Sequence, residues 1–420
     1  MASDAEKSYD LLIVGAGPAG AAAAYWAAKR GLEVLAVDKQ HFPRDKTCGD
    51  GLTPRAVKEL SDMGLEGEFA SWHRHQGLRV RAHGTVLELP WPSHPTYPDY
   101  GFVVRRRDLD KLVAERALSA GAVIRHGVEA VTPLWDDASK SGELAGAVLR
   151  NKGTGETEQV KARFVIVADG ANSRFGRALG TKRDRSLAQG MAIRTYYSSP
   201  VHDDPWIESA LDITDRQGNT LPGYGWVFPL GDGKVNVGIG LLSTFRDYKS
   251  VNTSWLMEEW AHALPDFWGV DPTRPEITPV GGRLPMGGSV QPKAGPNWLI
   301  VGDAAGTVNP FNGEGIDYAY ETGRAAANII ASAVAHSDLS ILSEYSRWLE
   351  TTYGLYFRVG HLFAKAIGNP DLIRRLTNSG MQSRTFMEWA LRIMANLLRP
   401  GELKPAELAY AAMKGLAKTR

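Results

Sequence analysis

Apolar positions near the start of the chain come as two short unbroken runs, Leu11-Leu-Ile-Val14 and Val34-Leu-Ala-Val37, with an Ala-rich stretch between them. Such runs read as strands buried on both faces, so residues 9–40 are predicted as strand, helix, strand. A helix is predicted over 53–62, with Thr53 as N-cap and Pro54 at the first helical position. Residues 78–104 alternate in strand fashion around a Pro90-Trp-Pro-Ser-His-Pro95 loop. The pattern then predicts a helix over 108–120 and strands at 122–131 and 164–167, separated by a polar hairpin. Over 190–240, β-branched and aromatic residues between Gly/Pro turns predict an antiparallel sheet. A buried strand at 298–301, a long helix at 315–335 and a helical pattern from 341 onward complete the chain. There is no internal repeat.

Composition narrows the picture. At 420 residues the chain exceeds the usual one-domain range, and 43% hydrophobic with 23% charged residues is ordinary for a globular enzyme. A net charge of +1 argues against nucleic-acid binding. A single cysteine excludes an internal disulfide and suggests a reducing compartment. No basic segment followed by an apolar core opens the chain, and no apolar run approaches the ~18 residues of a membrane span. A cytoplasmic location is expected. Residues 341–420 carry twelve Lys/Arg against six Asp/Glu. There Phe386, Trp389, Ala390, Ile393, Met394 and Leu397 recur at helical spacing beside Arg384, Arg392 and Arg399. Such a basic amphipathic helix can lie peripherally in a membrane interface. The alternative is a helix packed on the rest of the protein.

Between the first two strands stands Gly15-Ala-Gly17-Pro-Ala-Gly20, a G-x-G-x-x-G turn, and the second strand ends in Asp38. Glycines let backbone N–H groups approach a pyrophosphate at a helix N-terminus, and the acid can accept from a ribose hydroxyl. Two further strands end in Asp169-Gly170 and Gly302-Asp303. The three signatures together resemble those of the FAD-dependent aromatic hydroxylase superfamily, over most of residues 9–335. The resemblance implies an α/β fold: a Rossmann-like FAD-binding domain, an inserted antiparallel-sheet substrate domain and a C-terminal helical region. It implies FAD as cofactor. Asp303 would bind the ribityl or ribose region, Arg106 would contact FAD, and Asn309–Ile316 would present helix-N-terminal N–H groups to the flavin. Val237-Gly-Ile-Gly240 lacks a third glycine and reads as a strand packing feature. NAD(P)H would therefore bind transiently, or electrons would come from a small redox carrier.

Phe42-Pro-Arg-Asp-Lys-Thr-Cys48-Gly-Asp-Gly51-Leu-Thr-Pro-Arg-Ala56 and Pro222-Gly-Tyr224-Gly-Trp226-Val-Phe228-Pro229 closely resemble the geranylgeranyl reductase family. Within that family the chain is most similar to the bacterial menaquinone reductases. Members saturate carbon–carbon double bonds in polyisoprenoid chains, so the implied partner is a prenyl lipid, menaquinone or a related molecule. The implied cofactor residues are Gly15, Gly17, Ala19, Gly20, Asp38, Lys39, Cys48, Gly49, Gly51, Arg106, Ala130, Asp303, Gly315 and Ile316. Tyr224, Trp226 and Phe228 alternate along a strand and would form an aromatic row for the substrate, with Gly223 and Gly225 leaving the other face open. Cys48 and Tyr224 are the candidate proton sources. No histidine or cysteine spacing suits a metal. The FAD domain is expected at 1–78, 106–190 and 297–340, the substrate sheet at 79–105 and 191–296, and helices at 341–420. Two alternatives remain: a geranylgeranyl-lipid reductase, or a flavin monooxygenase or halogenase. The halogenase motif W-x-W-x-I-P, however, would need Trp and Ile where Tyr224 and Phe228 stand.

Overall fold

Leu11–Val14, Val34–Val37 and Phe164–Val167 are buried on both faces, which is why their sequences are unbroken apolar runs. In the computed structural model, which describes residues 8–136, 142–245, 248–399, 401–402 and 404–418, they form the centre of a seven-stranded sheet. The residues before Ser8 lie outside those described. Ser8–Val14 lies between Val34–Asp38 and the end of Thr157–Val167, with Val123–His126 beyond Val34–Asp38, all parallel. Trp298–Ile300 pairs in parallel with the last residues of Thr157–Val167.

Where the sequence pattern predicts only a polar hairpin before 164, the sheet continues antiparallel through Leu144–Asn151 to Val128–Trp135. From Thr157 to Arg163 only Val160 and Ala162 point inward, and this half-exposed alternation hides the strand from a search for apolar runs. One face of the sheet is covered by the helices Pro18–Lys29 and Ile316–His336. They meet through small residues: a Cβ on Gly323 would lie 2.3 Å from the Ala19 carbonyl oxygen.

The second seven-stranded sheet runs in the order Val280–Pro285, Gln189–Ser198, Lys234–Leu242, Gly223–Pro229, Trp206–Ala210, Gly77–Ala82, Thr85–Pro90. It is antiparallel except where Trp206–Ala210 and Gly77–Ala82 run side by side in parallel. Gly101–Val103 belongs to neither large sheet; it pairs with Gly51–Leu52 and His73–His75. The face of Gly223 and Gly225 is not open. A Cβ at Gly225 would fall 2.5 Å from the Trp260 ring, because the helix Thr253–His262 lays Trp260 against it.

Thr53 takes the expected N-cap position before Pro54–Asp62, its carbonyl accepting from Val57 at 3.1 Å, but its hydroxyl makes no capping bond and donates to Glu314; the next helix starts earlier than expected. The helix predicted from 108 begins at Arg106, whose N–H donates to Asp50 Oδ1 at 3.1 Å, so a distant carboxylate serves one orphan donor of the first turn.

After Ile316–His336 come the helices Ser343–Leu349, Leu355–Ile367, Pro370–Met381, Arg384–Met394 and Pro405–Lys418. In Arg384–Met394 the apolar stripe, read as a membrane face or a packed face, is partly packed against the protein. Ile393 joins the core beneath the first sheet, and Leu397, just beyond the helix, packs with Met387 and Leu391 against the second. Arg392 pairs with Glu407 and Arg399 with Glu402, while Phe386 stays exposed.

Candidate active site

A cavity of about 1220 Å³ separates the two large sheets. Every anticipated site residue lines it except Gly20, which is packed away under the turn. Gly15 has φ +100°, and a Cβ there would sit 2.4 Å from the Ala168 carbonyl oxygen; a Cβ on Gly20 would overlap the Gly15 carbonyl oxygen. Backbone can approach so closely only without side chains, leaving a concave turn at the start of Pro18–Lys29 that suits a pyrophosphate. Asp38 receives the N–H groups of Ala16 at 3.0 Å and Gln40 at 2.9 Å, which fixes its carboxylate at the cavity wall beside Lys39. A carboxylate accepts at about four positions, so lone pairs remain for a ribose. Asp169 Oδ1, buried in the same wall, has no partner among the described residues. These features fit a dinucleotide.

Two cations flank that end. Arg106 grips Asp110 with both arms, at 2.7 and 2.9 Å, and Arg44 reaches the same carboxylate at 3.3 Å. Arg44 Nη2 lies 3.2 Å from where a Gly17 Cβ would stand, so a guanidinium overhangs the glycine turn. Arg44 was not among the expected residues. Its place depends on a fold-back from a loop 66 residues before Asp110, which local spacing does not show.

Farther along, Tyr224, Trp226 and Phe228 face Gly240, Gly238 and Asn236 across the strand pair. A Cβ on Gly238 would meet the Trp226 ring at 2.2 Å, so the Val237–Gly240 glycines are a packing feature that lets the aromatic row lie flat. Phe228 lies against Gly49 and Gly51. Tyr224 donates to the Asn312 carbonyl at 2.7 Å, tying the row to the Asn309–Gly315 loop that opens Ile316–His336. Burial, with Glu314 nearby, pushes the Tyr224 phenol far above its ordinary value.

Cys48 sits between the cofactor end and the aromatic row. Its carbonyl accepts from Asn236 Nδ2 at 2.9 Å; the same nitrogen donates to Asp50 at 2.8 Å, and Asn236 Oδ1 accepts from Trp226 Nε1 at 2.9 Å. Asp50 is wholly buried at φ +65° and also accepts from Tyr196 at 2.6 Å. Burial raises its carboxyl, against the donors Tyr196 and Asn236 and the charge of Arg194. Asp50, Asn236 and Tyr196 are not among the residues expected from the sequence, although an aspartate between two glycines beside the lone cysteine is a usable signal.

Burial raises the Cys48 thiol above its ordinary value, with the Arg106 guanidinium opposing the shift. The site thus holds Cys48 protonated at neutral pH. As the single cysteine, it reports alone on alkylation. The expected rate–pH profile has its midpoint above that of a free cysteine. A midpoint below it would mean that Arg106 outweighs burial.

Residues 8–349 match the FAD binding domain family. The chain is 42% identical over 393 residues to a menaquinone reductase of Mycobacterium tuberculosis, covering 94% of this chain and 92% of the relative. It is 31% identical to digeranylgeranylglycerophospholipid reductase 1 of Methanopyrus kandleri, covering 81% and 86%. Among solved structures, a geranylgeranyl bacteriochlorophyll reductase-like protein of Thermoplasma acidophilum superposes with a TM-score of 0.78 at 23% identity, covering 97% of this chain and 99% of that one.

Proposed function

The chain belongs to the geranylgeranyl reductase family of FAD-dependent oxidoreductases, and from that premise we propose that it saturates a double bond in the isoprenoid tail of menaquinone. It binds FAD and reduces a carbon–carbon double bond of a polyisoprenoid chain. The observation that carries the choice of substrate is the 42% identity over 94% of the chain to a menaquinone reductase, and the aromatic row Tyr224-Trp226-Phe228, set against Gly49 within the cavity, supports a prenyl chain there.

In this reading the FAD domain is 1–78, 106–190 and 297–340, of which 1–7 and 137–141 lie outside the described residues; FAD is held by Gly15, Gly17, Ala19, Asp38, Lys39, Cys48, Gly49, Gly51, Arg106, Ala130, Asp303, Gly315 and Ile316, with Gly20 packed beneath the turn. Residues 79–105 and 191–296 hold the prenyl chain. Bound and reduced, FAD would supply the hydride for one alkene carbon. An isolated alkene offers no carbonyl to polarise, so the protein's share is to hold the chain at attack distance, exclude water and provide a proton. The aromatic row holds the chain. Cys48 and Tyr224 both keep their protons at neutral pH and are the side chains proposed to face the second alkene carbon. Electrons reach the flavin from NAD(P)H or a small redox carrier.

Leu376 and Phe386 line the cavity and are also among the exposed large apolar residues, with Leu372 beside them. An apolar mouth of this kind, near Arg374, Arg375 and Arg384, suits a lipid entering from the cytoplasmic face of a membrane. No helix among the described residues is long and apolar enough to cross a membrane, so the contact proposed is peripheral. Flotation with anionic liposomes should carry the protein upward, and a Phe386→Ser, Leu376→Ser variant should lose about tenfold in binding. Unchanged flotation of the variant would remove this surface from the proposal.

The test of function is anaerobic incubation of dithionite-reduced protein with a menaquinone in detergent, followed by mass spectrometry. A gain of two hydrogens located in the tail is expected. An unaltered tail beside flavin that reduces and reoxidises normally would overturn menaquinone as the substrate.

A further inference from the structure

Behind the Asn309–Gly315 loop lies a buried group of acids that the reaction outlined above does not use. Glu314 lines the cavity; Asp317 and Glu321, on the first turns of Ile316–His336, stand behind it. One cation faces all three. Arg55 donates to both oxygens of Glu321 at 2.7 Å and to Asp317 Oδ2 at 3.3 Å. The adjoining pair Arg324–Glu59 is balanced within itself. The cluster thus holds two more carboxyl groups than guanidinium groups.

Its other titratable neighbours are Tyr97, Tyr224, Tyr318, Tyr353 and Tyr356, whose phenols burial pushes above their ordinary values, and His94, whose imidazole burial lowers. They bring no positive charge. Asp317 is wholly buried, and its Oδ1 has no partner among the described residues. Two unpaired anions in such surroundings are avoided by binding protons. Glu314 is the member of the cluster on the cavity wall, between Thr53, whose hydroxyl donates to it, and the loop carbonyl that accepts from Tyr224.

We propose that Glu314, backed by Asp317 and Glu321, stores at the cavity wall the proton that each turnover consumes. The inference rests on the reading as an alkene reductase and deepens it. In the balanced step the reduced flavin gives a hydride to one alkene carbon and is oxidised. The π pair forms a C–H bond at the other carbon with a proton that traces to Glu314, either directly or through Cys48 or Tyr224. Glu314 is left as carboxylate and regains a proton from water once product leaves. Burial pushes its carboxyl up to about 7, against the Thr53 hydroxyl and the Arg55 charge, so both forms are reachable near neutrality.

The test uses holoenzyme of wild type, Glu314→Gln and Thr53→Val. In infrared difference spectra, wild type should show a protonated-carboxyl band that titrates near pH 7, and Glu314→Gln should lack it. Single-turnover saturation by dithionite-reduced protein should fall about tenfold per pH unit above neutrality in wild type. In Glu314→Gln it should be lower by a factor on the order of 10² and flat with pH. Removing the Thr53 hydroxyl removes a donor that favours the carboxylate, so Thr53→Val should extend activity to higher pH. The proposal is overturned if Glu314→Gln keeps the band, or matches wild type in rate and profile. If that variant fails to fold, an unmoved profile in Thr53→Val overturns it instead. If no prenyl chain is saturated by wild type, the alkene-reductase reading fails, while the infrared titration still decides whether Glu314 holds the proton.

Discussion

Alanine at Gly15 is expected to give a folded protein that purifies without FAD. Two costs combine at that position. The φ of +100° is strained for any residue with a Cβ, by about 1–2 kcal/mol. The added carbon would also lie 2.4 Å from the Ala168 carbonyl oxygen and 2.8 Å from its carbon, and strand backbone cannot yield as a side chain tip can. Relief requires moving either the end of Thr157–Val167 or the turn itself, and the turn must present its N–H groups to the pyrophosphate. A displacement that costs about 3 kcal/mol of binding weakens FAD by more than a hundredfold. The ratio of flavin to protein absorbance after gel filtration measures it. Gly31→Ala is the control: φ is +84°, but nothing lies within 4 Å of the new carbon, so strain acts alone and FAD should remain bound. Full flavin occupancy in Gly15→Ala would mean that the turn is not the pyrophosphate site.

Arg55→Met is expected to be the most destabilising single change near the site. The guanidinium is buried, bonded to Asp317, Glu321, Tyr97 and the Asn396 carbonyl, and stacked near the Tyr97 and Tyr318 rings. Methionine fills much of the volume and removes the charge. Breaking a buried pair by deleting one partner costs about 3–5 kcal/mol, because the other partner is left uncompensated.

The pH dependence has a definite sign. Burial and the neighbouring carboxylates raise Asp317, and burial raises Glu314 to about 7 against an ordinary 4.5. Groups raised in the folded state contribute stability that is full at acid pH and lost as pH rises through the folded value. Without Arg55 the carboxyls rise further, so the deficit of Arg55→Met should widen from about pH 5 to about pH 8. Urea midpoints at those two pH values measure this. A midpoint equal to wild type at the higher pH would show that the carboxyls are no more raised without the arginine than with it.

Both experiments probe the boundary between what is local in the chain and what is not. The Gly15–Gly20 turn and Asp38 were legible because a strand, a tight turn, a helix start and a second strand follow one another within 30 residues, and each has its own composition. The aromatic row was legible from alternation. What covers its reverse face was not, since Trp260 arrives from a helix more than 30 residues later. The helix Arg384–Met394 shows the same division. Its amphipathic spacing is local, whereas Ile393 facing the core and Phe386 facing out at the cavity mouth depend on what packs against it.

Thr53 marks the limit most sharply. Its place before a proline promised a capping hydroxyl, and the hydroxyl instead serves Glu314, 261 residues away. By itself the sequence determined the glycine-rich turn, the strands buried on both faces, the aromatic row and the family, because each rests on periodicity or on motifs of contiguous residues. Only the tertiary structure decided that Arg44 and Arg106 share Asp110, that Asp50 and Asn236 knit Cys48 to Trp226, and that Glu314, Asp317 and Glu321 converge on Arg55. Apart from Arg106–Asp110, four residues apart on one helix, those contacts join side chains distant in sequence. Their energies come from burial and charge pairing, which exist only once the chain has closed around them.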